Sequence, residues 1–203
     1  MSRLVFNETS MPLGPALRTW QDLLSHLESQ RLSRDEVITS VQFDGDDISN
    51  FRDEEALATD LAPIEEVRVR AMARDELMRD TIVEAEAYLR NLEAAAVNVA
   101  EMFRCQQLNQ ANRGLQELLS GIKLYVALLR GMDLSVSGLA GTCEPIDKVL
   151  DPMAATLQEQ INAQGRQDWM LVADILEYEL AAQLTAFEEV LNGFKTASGV
   201  AAR

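Results

Sequence analysis

The residues best placed to do chemistry lie in the run Asp174-Ile-Leu-Glu177-Tyr178-Glu179 near the C-terminal end. Asp174 and Glu177 are three residues apart and Asp174 and Tyr178 four apart, spacings that bring side chains to one face of a helix. With Asp168, such carboxylates accept hydrogen bonds from a basic peptide. A carboxylate pair is also the equipment of glycoside hydrolysis, but that reaction needs a fixed separation across a sugar, and nothing in the run supplies one. The apolar residues beside these carboxylates read as the buried side of the same helix.

Other reactive residue types are sparse. The only histidine, His26, has no cysteine or second histidine near it, which excludes a His-based triad from the C-terminal part and an HExxH zinc site anywhere in the chain. Di-iron bundles draw on histidines as well as carboxylates, and the helical part has no histidine. Cys105 and Cys143 sit among apolar residues and read as buried thiols or core fillers. Asp44, Asp46 and Asp47 surround Gly45 without the alternation and closing glutamate of a calcium loop, so they read as a solvated turn. No Walker or dinucleotide glycine pattern occurs; the pairs Gly138/Gly141 and Gly121/Gly131 lack its strand, turn and helix. The expectation is a protein without catalytic residues, cofactor or metal.

Charge narrows the partners. Among 203 residues, 33 acidic against 18 basic side chains give a net charge of −15, which repels nucleic acid and anionic membranes. The excess is spread along the chain: residues 1–74 hold 14 acidic and 8 basic side chains, and the remainder 19 and 10. The beginning does not resemble a signal peptide, and no apolar run is long enough to span a bilayer. Cytoplasmic location is the expectation.

The elements that must position these residues fall into two parts. In residues 1–73, Leu4-Val5-Phe6 reads as a strand, followed by breakers at Pro12, Gly14 and Pro15. Trp20, Leu23, Leu24 and Leu27 recur at helical spacing. Ser33 to Glu36 has capping-box spacing, but the β-branched run Val37, Ile38, Val41 and then Phe43 predicts a strand. Asp44-Gly45 predicts a tight turn, Ile48 a short return strand, Asp53–Leu61 a brief helix, and the alternation Val67-Arg-Val69-Arg a half-buried strand. The sum is a small α+β domain.

Residues 74–196 read as a mainly antiparallel four-helix bundle, which makes the chain predominantly helical, with 197–203 as a tail. A first period from Asp75 predicts a helix of about 35 residues, with an elongated bundle, a bend near Asn98 or a partner chain over its overhang as ways to accommodate its length. Residues 115–129 repeat the pattern, Gly131 and the stretch 135–141 read as a loop, and Asp151-Pro152 reads as the start of the next helix, which ends at Gly165. The last stripe is the cleanest. Trp169, Ala173, Leu176, Leu180, Leu184, Phe187, Leu191 and Phe194 cover 25 intervals in seven turns, the α-helical period of about 3.6.

A charged, aromatic-poor bundle without a catalytic signature points to a protein-interaction module, an adaptor or chaperone-like assembly factor for an amphipathic or basic partner. Tyr88, Tyr125, Trp169, Met170, Asp174, Glu177 and Tyr178 are its candidate contacts, because aromatic and methionine side chains suit such surfaces. The alternatives are a structural homodimer whose helices complete one another, or a small-molecule-binding protein or enzyme.

Overall fold

The computed structural model describes residues 3–14, 16–137 and 146–197. Two compact units divide it, Met1–Leu77 and Met78–Arg203. The first is a mixed sheet with helix α1 packed on one face; the second is mainly helical, and helix predominates overall.

In the first unit β1 (Arg3–Phe6), β2 (Thr9–Pro12), β3 (Glu36–Phe43), β4 (Asp46–Asp47) and β5 (Glu66–Ala73) lie in the order β2-β1-β5-β3-β4. β1 runs parallel to β5, and the other pairs are antiparallel. Alternation turns Leu4, Val67 and Val69 inward against Trp20, Leu23 and Leu27 of α1 (Trp20–Gln30), all buried. Thr19 caps α1 in a full capping box with Asp22, whose carboxyl these hydrogen bonds hold below the usual aspartate range. The Trp20 indole N–H donates to the Phe51 carbonyl at 2.7 Å, which satisfies the one polar atom of a sealed side chain.

Several local expectations change. The polar run Thr9–Pro12 forms a strand, because the positive φ of Asn7 and Glu8 folds it back on β1. Asp44 and Gly45 take positive φ as a tight hairpin turn requires, but the return strand is Asp46–Asp47, ahead of Ile48. The Glu36 carboxylate does accept the Ser33 amide at 2.9 Å, half of a capping box, while the backbone goes on as a strand. The brief helix is α2 (Glu54–Leu57).

Helix α3 (Arg74–Arg104) starts within the first unit and runs on into the second, where it forms an antiparallel pair with α4 (Leu108–Ser137): Tyr88 stacks on Tyr125, while a Cβ at Gly121 would meet Leu92 and one at Gly114 would meet Val99. α3 passes Asn98 without a break. α4 continues through Gly131, where a loop was expected; Leu129 and Met132 on either side are buried and hold the helix. α5 (Ile146–Gly165) carries Pro152 inside it, on an exposed position, instead of at its start. The expectations for Pro15, for 138–141, for Cys143 and Pro145, and for the tail beyond Ala197 lie outside the described residues.

The last path comprises α6 (Trp169–Asp174), a π-helical segment (Ile175–Leu180), α7 (Ala181–Thr185) and α8 (Phe187–Ala197). It is antiparallel to α3, as the pairs Arg104–Asp174, Glu93–Thr185 and Glu86–Lys195 show. Sequence explains the π segment. Val172, Leu176, Leu180 and Leu184 are all buried and all four residues apart, and on an α-helix each such step drifts by about 40°. The wider π winding takes up that drift and keeps the stripe on the core.

α3 and α5 end alike. Gln106 and Gln167 adopt the left-handed conformation after the helix; Gln107 N–H bonds Met102 O and Asp168 N–H bonds Ala163 O, the closing bond of a Schellman turn. Gly165 therefore ends α5 without supplying the left-handed residue, and Asp168 caps α6 by accepting the Leu171 amide at 3.1 Å.

Candidate functional site

The candidate contacts fall into two groups. Tyr88 and Tyr125 stack between α3 and α4 with ring centroids 6.1 Å apart. Tyr125 is sealed in the core, edge-on to Phe187, and offers no surface to a partner. Its hydroxyl has no hydrogen-bond partner among the described residues; burial, reinforced by Glu86, Glu93 and Glu188, pushes its pKa above the tyrosine range. Tyr88, half-buried, lines a shallow hollow of about 410 Å³ with Gln116, Glu117, Ser120, Gly121 and Leu124.

The second group, Trp169, Met170, Asp174, Glu177 and Tyr178, lies together on α6 and the π segment. Met170 and Tyr178 are 57% and 65% exposed, and Asp174 and Ala182 are exposed too. These four follow one another at intervals of four, so the winding that keeps the buried stripe in register also keeps Met170, Asp174, Tyr178 and Ala182 in one outward line. Trp169 is half-buried beneath this line and stacks flat on Phe103, with centroids 5.8 Å apart.

Arg104, the last residue of α3, completes the group. One nitrogen donates to Asp174 Oδ1 at 3.0 Å, another pairs with Glu177, Glu101 lies at 3.9 Å, and the guanidinium sits 6.0 Å from the Tyr178 ring centre. Glu177 foremost, then Asp174, raises its pKa still further above the arginine range. Sequence reading missed Arg104 because seventy residues separate it from Asp174, and only the register of α3 against the last path brings them together.

Chemistry is thinly provided. Cys105 is exposed, not buried as its neighbours suggested: it falls in the turn after α3, and its hydrogen bond to Glu101 pushes the thiol pKa up, away from nucleophilic use. His26 is exposed on α1. Among the described residues no three or more metal-ligand side chains converge, and no helix is long and apolar enough to cross a membrane. A second, polar cavity of about 200 Å³, lined by Glu86, Leu89, Arg90, Glu188 and Asn192, lies along α3 and α8.

Fold and site thus define a two-unit α+β and helical-bundle protein with an acidic, partly apolar face on its last helical path. Residues 80–190, more than half of the chain, match the model of a family described as Domain of unknown function (DUF8042), and the chain belongs to that family. The match covers all seven candidate contacts and Arg104, and leaves out the sheet. No curated protein and no solved structure matches the chain.

Proposed function

We propose that this chain is a non-enzymatic interaction module, an adaptor or chaperone-like assembly factor of the cytoplasm. It seats an amphipathic partner helix, bearing basic residues, on the face formed by Met170, Asp174, Tyr178 and Ala182. The observation that carries the reading is the exposure of Met170 and Tyr178, with an exposed carboxylate between them at helical spacing. Tyrosine is among the residue types that carry most binding energy at interfaces, and methionine adapts its shape to a partner's surface. Charge selects the partner: Asp174, Glu177, Glu179 and Glu101 surround this face in a chain of net charge −15, so a basic helix is attracted and an acidic one repelled.

The test is affinity purification with the intact chain from its native lysate, beside its mass in solution. A stoichiometric partner with a basic amphipathic helix is expected, lost when Asp174→Lys and Glu177→Lys are combined while the helical signal persists. A partner retained by that double variant contradicts the assignment of the face, and a homodimer without a partner contradicts the adaptor reading.

A further inference from the structure

Arg104 occupies the acidic pair on which the proposed docking depends. Its guanidinium lies between Asp174 and Glu177, with Glu101 behind it and the Tyr178 ring alongside. This set of two carboxylates and an aromatic ring is what a partner's cationic side chain would meet on the same face.

The end of α3 is held by other contacts as well. Phe103 is buried and stacked on Trp169, which ties α3 to α6, and the Schellman turn through Gln106 closes the helix with backbone bonds. The Asp174 side chain is 53% exposed, so water and salt reach that arm and it exchanges at little cost. The Glu177 side chain is 25% exposed and its paired oxygen is buried, so an incoming cation has to replace Arg104 there rather than leave the carboxylate bare. We infer that Arg104 is an autoinhibitory contact: it fills the Asp174–Glu177 pair within the chain and has to leave it when a partner's arginine or lysine docks. The inference rests on the interaction reading above and adds its regulation: binding is weakened by an internal competitor.

The experiment is fluorescence anisotropy of the full chain with a fluorescein-labelled amphipathic peptide of leucine and lysine at helical spacing. Arg104→Gln is expected to tighten binding roughly three- to tenfold, the range set by losing one partly exposed charged competitor. Arg104→Lys, which keeps the charge and loses the fork, should fall between wild type and Arg104→Gln. Arg130→Gln is the control, because it removes the same charge from another exposed pair, with Asp147 at 3.2 Å. Circular dichroism melting confirms that each variant folds, and Arg104→Lys carries the comparison if Arg104→Gln does not. A gain at Arg104 no larger than at Arg130, or a loss, overturns the autoinhibition while leaving the docking face standing. Peptide binding indifferent to Tyr178→Ala and Asp174→Asn overturns the docking face itself, and the autoinhibition with it.

Discussion

Gly121 and Gly131 stand in the same helix, and replacing each by alanine separates backbone propensity from packing. A Cβ at Gly131 meets nothing within 4 Å, whereas one at Gly121 would lie 2.8 Å from Leu92 Cδ2 and 3.1 Å from the Tyr88 hydroxyl. Both substitutions gain about 1 kcal/mol from the higher helix propensity of alanine. Only Gly121→Ala must also push a buried leucine and a stacked tyrosine back to van der Waals distance, an overpacking cost of about 1–3 kcal/mol. Gly131→Ala should therefore stabilise the bundle by about 0.5–1 kcal/mol, and Gly121→Ala should be neutral to destabilising by about 2 kcal/mol. Urea unfolding followed by far-ultraviolet circular dichroism reads both, with the slope checked for constancy. Equal stabilisation by the two, within about 0.3 kcal/mol, would refute the close approach of α3 and α4 at this level.

Tyr125→Phe removes a buried hydroxyl that has no partner, so it should be neutral or stabilise by about 1 kcal/mol; a loss above about 1 kcal/mol in the same urea assay would mean the hydroxyl is satisfied. Gln106→Gly and Gln167→Gly relieve left-handed strain at the ends of α3 and α5 and should each raise stability by about 1 kcal/mol, checked by thermal melting. The pKa of Asp22 is lower folded than unfolded, so its contribution to the first unit is complete above about pH 4 and is lost as pH falls through the folded value. Asp22→Asn should flatten the acid limb of the stability–pH profile followed by Trp20 fluorescence in a Trp169→Phe background, and an unchanged limb would count against the capping box.

Much of this architecture is written in periodicity. Val67 and Val69 alternate inward as their pattern implied, and the stripe from Ala173 to Phe194 is buried throughout. The same stripe also shows how averaging hides structure. Its mean over seven turns is α-helical, yet the unbroken fours from Val172 to Leu184 are the imprint of the π segment. Glycine and proline misled as punctuation at Gly131 and Pro152, where neighbouring buried residues outweigh a local preference. Conversely, Gln106 and Gln167 take a conformation that their residue type does not advertise. Asp174, Glu177 and Tyr178 were visible in the sequence as one cluster, but Arg104 was not, because its place depends on how two distant helices register. Tyr125 had the right chemistry for a surface contact and the wrong phase, since it points into the core beside Phe187.

The docking face is tested most directly by installing the photocrosslinker p-benzoylphenylalanine at Tyr178 and, as a control, at the exposed Gln158 of α5 in the full chain, then irradiating in native lysate. One discrete adduct at position 178, absent at 158 and lost on adding Asp174→Lys, is the predicted result. Identical adducts at the two positions, or none at 178, would contradict the account.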